Sequence, residues 1–146
     1  MGRAAIGALL ALAGATGCST APRDLAGDYA LTRVDGVALP YLYLATAMCD
    51  RYLQRGALRL MPDGRFHLDI ATREDCTPAG GAMTDDSVRY EGSWLLADSL
   101  WLVSQRPSAQ FAGVAVRPDL LVLYSDDLLP GLRGYRFGTG ALPGER

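Results

Sequence analysis

The chain has no lysine, no asparagine, only two isoleucines and a single histidine, His67. Lysine, asparagine and isoleucine use AT-rich codons, so their scarcity reads as a high-GC coding sequence and not as chemistry. For the same reason the arginines, which supply every basic side chain besides His67, do not signal selected bidentate anion recognition. With 16 Asp and Glu against 14 Arg, the formal net charge is −2, and no stretch concentrates the basic residues. A nucleic-acid partner is therefore disfavoured. No repeat or heptad pattern occurs, and no stretch reads as a long amphipathic helix. The apolar run "AAIGALLALAGA", Ala4 to Ala15, falls short of the roughly 20 residues a spanning helix needs.

That run follows one positive charge, Arg3, and leads into the small residues Thr16 and Gly17, the layout of a removable export signal. "ATGC", residues 15–18, resembles the lipobox of bacterial lipoproteins, with Ala15 where that motif favours leucine. The resemblance implies cleavage after residue 17 and acylation of Cys18. Two or three acyl chains on one cysteine anchor a protein without any spanning segment, since each buried CH₂ adds about 0.8 kcal/mol. Ser19, in place of Asp after the cysteine, resembles lipoproteins sent on to the outer membrane of two-membrane bacteria. The expected layout is a signal peptide over 1–17, a tether over 18–24, and one domain over 25–146. What remains after cleavage is long enough for one domain and too short for two. Cys49 and Cys76 are left over, and export to an oxidising compartment makes a disulfide between them the expectation.

Short β-rich segments separated by turn residues fill the domain, a pattern of all-β sandwiches and barrels. "GALRLMPDGRFHLDI" alternates Leu58 and Leu60, then Phe66, Leu68 and Ile70, against polar residues. A three-residue loop, Pro62-Asp63-Gly64, sets Leu60 opposite Phe66 and Leu58 opposite Leu68. Carried to the open end of the hairpin, that register sets Asp50 opposite Cys76, with Cys49 one residue beyond. "SVRYEGSWLLADSLWLV" predicts a second hairpin about Ala97-Asp98-Ser99, with Trp94 opposite Leu102 and Trp101 on the other face. "FAGVAVRPDLLVLYS" predicts a third about Arg117-Pro118-Asp119, Asp35-Gly36 another turn, and "GYRFG" a closing strand. "YLYLATAMCDRYLQ", residues 41–54, lacks alternation and reads as a short helix or a crossing loop. The count is about eight strands in an antiparallel up-and-down meander, whose edges a barrel would hide.

"LAGDYALTRVDGVALP", "GALRLMPDGRFHLDI", "YEGSWLLADSLWLV" and "YRFG" resemble, in order, recurring segments of small lipocalin-like bacterial envelope proteins. The match spans most of residues 25–138. It implies a small lipocalin-like β-barrel and no catalytic residue.

Candidate chemistry is thin. Alternation sends His67 outward, and no motif places an acid or nucleophile beside it. Cys49, His67 and Cys76 have no zinc-ligand spacing, so neither a metal nor another cofactor is expected. The adjacent carboxylates Asp85-Asp86 and Asp126-Asp127 point to opposite faces if extended and read as loop edges. "EGSWL" around Ser93 lacks the second glycine of a nucleophile elbow. Phe66, Leu68, Tyr90 and Trp94 line either a filled core or a pocket, because an eight-stranded barrel can hold side chains or one small ligand. The expectation is a non-enzymatic, membrane-anchored binding or envelope-maintenance module, with a small apolar ligand as one partner. The alternative is a protein–protein interaction or inhibitor module acting through residues 74–87 and 104–111.

Overall fold

A computed structural model describes residues 25–140. The expected signal peptide, Cys18 and the 18–24 tether lie outside the described residues, as do residues 141–146. Ten strands follow in chain order: β1 (Gly27–Val34), β2 (Val37–Ala38), β3 (Tyr41–Ala45), β4 (Asp50–Leu60) and β5 (Arg65–Asp75). After a single 3₁₀ turn at Thr77–Ala79 come β6 (Met83–Leu96), β7 (Leu100–Arg106), β8 (Ser108–Arg117), β9 (Leu120–Ser125) and β10 (Arg133–Gly138). All pairings are antiparallel. The strands β4 to β10 form a meander, and β1 closes it by pairing with β10 on one side and β4 on the other. The result is an eight-stranded lipocalin-like barrel, with β2 attached to β1 and β3 to β4.

Local chemistry explains the hairpins. Leu60 pairs with Phe66 and Leu58 with Leu68 about a turn in which Gly64 takes a φ of 82°. Asp35 and Gly36 both adopt positive φ, the conformation a two-residue turn demands. Trp94 pairs with Leu102, Leu95 with Trp101 and Leu96 with Leu100. The two tryptophans therefore separate, Trp94 inside and Trp101 outside. Gly92 sits at a bulge where a Cβ would land on the Val103 carbonyl oxygen, so no larger residue fits.

Three expectations need correction. Residues 41–54 form neither helix nor crossing loop: they are β3 and the start of β4, paired as a hairpin. Asp85 and Asp86 lie inside β6, not at a loop edge, paired with Arg73 and Thr72. The β4–β5 register shifts between Leu53 and Arg55, so Asp50 faces Asp75 and not Cys76. Gln54 is the extra residue of that bulge.

Inward positions are apolar apart from Ser104 and Ser125, whose hydroxyls bond to backbone carbonyls. Phe66, Phe111, Tyr135, Phe137 and leucines from β4, β5, β7 and β9 are each under 2% exposed. Outward positions of β1, β4, β5 and β6 carry ion pairs, among them Arg59–Asp28 and Arg89–Asp69. Such polarity is the reverse of a membrane-spanning barrel, which is apolar outside and polar within. No helix among the described residues is long and apolar enough to cross a membrane.

Candidate functional site

The lumen is filled by side chains. Phe66, Leu68, Tyr90 and Trp94 are all buried. Phe66 on β5 meets Phe111 on β8 edge-to-face with ring centroids 6.4 Å apart, and Tyr90 meets the same ring at 5.7 Å. Strands β5 and β8 are separated by two others, so these contacts bridge the lumen. The Trp94 indole donates from Nε1 to the Met61 carbonyl at 3.0 Å, which satisfies its one polar atom. Open concavities lie on the outer wall. One of about 370 Å³ has Ala30 and Ala57 among its lining, together with Arg59, His67, Asp69 and Arg89. His67 stands there with Nε2 3.7 Å from Glu91.

The barrel rims are unequal, and this inequality builds the more distinctive site. Pairing of β6 with β7 stops at Glu91 and Arg106, whereas β5 and β6 stay paired as far as Asp75 and Met83. Strand β4 follows them to Asp50, and β3 covers its free edge. A four-stranded tongue, β3-β4-β5-β6, thus projects past the barrel at the end remote from Leu25. Its tip is crosslinked by the Cys49–Cys76 disulfide, with Cα atoms 4.1 Å apart.

Polar contacts hold the tongue where little core lies beneath it. Arg51 meets Glu74 at 2.6 Å, and Arg73 holds Asp85 through two bonds of 2.6 and 3.1 Å. The Arg73 guanidinium keeps the Asp85 carboxyl below its ordinary range. Bonds from the Thr77 hydroxyl and backbone do the same for Asp75. The Thr46 hydroxyl lies 2.7 Å from the Cys49 carbonyl, and Cys49 N–H donates to Thr46 Oγ1 at 2.9 Å. Around this frame Leu42, Leu44, Met48 and Met83 are exposed, Met48 by 67%. Exposed methionines suit adaptable contact surfaces.

At the base of the flap formed by β2 and β3, the Asp35 carboxylate accepts from Gly134 N–H at 2.8 Å and from Arg133 at 3.0 Å. The Gly134 bond, more than the Arg133 charge, lowers the Asp35 pKa. Burial pushes the neighbouring Tyr135 hydroxyl above tyrosine's ordinary range. That hydroxyl has no hydrogen-bond partner among the described residues.

The remaining candidates do not assemble. Cys49, Cys76 and Glu74 place one ligand atom each within 4.8 Å of one another, but the disulfide consumes both sulfurs, and His67 is on the outer wall. Asp127 accepts from Gln110 N–H at 2.7 Å, a loop-anchoring bond. Of the segments named for partner contact, 74–87 supplies the tongue tip and 104–111 a tight turn at the same end of the barrel. The second is mostly strand, and the first is strand at both ends with a loop over residues 76–82. Leu42, Leu44, Met48 and Met83 escaped the sequence reading because no periodicity marks them.

These features define a class: a small antiparallel meander barrel with a packed lumen and a disulfide-clamped projection. Compared with known proteins, the chain matches no family model, no curated protein and no solved structure.

Proposed function

We propose that this chain is a bacterial envelope lipoprotein, acylated at Cys18, whose barrel is a non-catalytic module contacting a macromolecular partner through the β3–β6 tongue. One observation carries the reading: the chain enters the barrel at the end opposite the tongue, where Gly27 pairs with Leu60 beside the 61–64 turn. A tether over residues 18–24 holds that end at the membrane. The 11 residues of β5 then separate the tip from that end by about 35 Å along the strand. If the host has two membranes, Ser19 after Cys18 favours the outer one. Kinship with lipocalin-like envelope proteins belongs to the same proposal. A small apolar ligand in the lumen is the weaker reading, because it would displace the Phe66–Phe111–Tyr90 contacts.

Site-specific photo-crosslinking in intact cells tests it. A photoreactive side chain at Met83 should give one discrete, mass-identified adduct, and the same group at Arg59 on the ion-paired wall should not. Equal patterns from both positions, or none at Met83, would count against the tongue as the working surface.

A further inference from the structure

The outer wall of the barrel is divided by chemistry. Across β1, β4, β5 and β6, outward side chains pair by charge, as Arg59–Asp28, Arg89–Asp69 and Arg73–Asp85. Across the end of β6 and through β7, β8 and β9 they are mainly apolar, with Gln105, Ser108 and Gln110 toward the tongue end excepted. Leu95, Trp101, Ala112 and Tyr124 stand in one cross-strand row, and Val114 pairs with Val122 nearby. Leu95, Trp101, Val114, Val116 and Tyr124 are each between 42% and 56% exposed.

This wall runs down to the rim at which the chain enters. Leu95 lies two residues before the 97–99 turn, and Val116 two before Pro118. The Tyr29 hydroxyl is 2.8 Å from the Leu25 carbonyl and 3.0 Å from the Pro118 carbonyl. One side chain therefore pins the entering segment against the β8–β9 turn, on the apolar side of the barrel. Residues 19–24 let Cys18 stand at most about 25 Å from Leu25. An acyl group there keeps this rim, and not the tongue, within reach of the bilayer.

We infer that Leu95, Trp101, Val114, Val116 and Tyr124 form a lipid-facing wall that lies on the bilayer surface when the chain is anchored. The inference rests on acylation of Cys18. Tryptophan and tyrosine favour the interface, where an apolar ring and a polar tip are both satisfied. Among the described residues the rim has no cationic surplus: Arg65 pairs with Asp63, Arg117 with Asp119, and Asp98 adds a negative charge. Contact is thus apolar and needs no anionic lipid.

Trp101 is the reporter. The full chain is extracted from membranes and reconstituted into neutral phosphatidylcholine vesicles, with or without lipid brominated on its chains. Bromine quenches a tryptophan it touches, and Trp101→Phe separates the two tryptophan signals. The expected result is loss of the Trp101 emission in brominated vesicles, with the buried Trp94 unaffected. The Val114→Ser/Val116→Ser variant should stay vesicle-bound through Cys18 yet lose that quenching, with an unchanged circular dichroism spectrum. An anchored wild-type chain whose Trp101 emission is the same in both lipids overturns the inference and leaves anchoring standing. Trp101 shielding that follows protein concentration instead of lipid, with a dimer in sedimentation, assigns the wall to a second copy and also overturns it. A chain with unmodified Cys18 that does not float with vesicles overturns both readings.

Discussion

Cys49 and Cys76 stand directly opposite one another, one position beyond the last paired residues of their strands, Asp50 and Asp75. They exchange no backbone hydrogen bond: Cys49 bonds with Thr46, and Cys76 bonds with Ala79, Gly81 and Ala82. Their side chains consequently point the same way at close range. Gln54 causes this. Were Gln54 paired in the ladder instead of bulging out, the register of Leu58 with Leu68 would run on and place Cys49 on the opposite face of the sheet from Cys76.

Deleting Gln54 should remove the bulge yet keep Leu53 opposite Thr72 and Cys49 opposite Cys76, so the crosslink should survive the deletion. Thiol alkylation of protein purified without reductant is expected to find no reactive cysteine at residues 49 and 76 in either the deletion variant or the wild type. The Cys49→Ala/Cys76→Ala variant should lose about 3–4 kcal/mol in denaturant unfolding, as expected for releasing a loop of separation 27. Reactive thiols at residues 49 and 76 in the Gln54 deletion would refute the assignment of Gln54 as the extra residue.

The two tryptophans should behave oppositely on truncation. Trp94 is 3% exposed and donates to the Met61 carbonyl, so Trp94→Ala should cost about 3–5 kcal/mol in urea unfolding. Trp101 is 42% exposed, and Trp101→Ala should change stability by no more than about 0.5 kcal/mol in the absence of lipid. Equal costs would mean that the 94–102 register is misplaced.

Acid should loosen the flap first. The folded-state pKa of Asp35 lies below the ordinary 3.8, so its contribution is complete above that value and disappears as pH falls through the lower folded value. Lowered carboxyls at Asp75 and Asp85 act in the same direction at the tongue. Thermal unfolding should therefore be nearly constant from neutral pH down to about 5 and fall steeply below about 4. Asp35→Asn keeps a side chain that tolerates the positive φ at this position, and should flatten part of the acid limb. An acid limb unchanged by Asp35→Asn would remove Asp35 from the explanation.

What could be read in the sequence tracks what lies over the core. Leu58, Leu60, Phe66, Leu68 and Ile70 alternate because one side of their hairpin faces the lumen, and that alternation was enough to pair them correctly. The Ala97-Asp98-Ser99 turn separated Trp94 from Trp101 by the same logic. Residues 41–54 carry no such signal because the tongue and flap extend past the core, where neither face of the sheet is fully buried. Gln54 is invisible for a related reason: a bulge is marked by a break in alternation, and there was no alternation left to break. Closure of β1 onto β4 depends on long-range pairing that no local pattern encodes. The outer wall of β7–β9 was hidden as well, since exposed Val114 and Val116 read like ordinary strand formers.

Both the tongue and the lipid-facing wall take their roles from acylation of Cys18, and the mass of the chain recovered from cells tests that acylation most directly. Detergent-extracted protein should begin at Cys18 and carry a diacylglyceryl group on that sulfur, while Cys18→Ala should leave the membrane fraction. A membrane-bound Cys18→Ala protein, or a wild-type chain with an unmodified cysteine at position 18, would contradict the anchored orientation from which both the tongue and the lipid-facing wall take their roles.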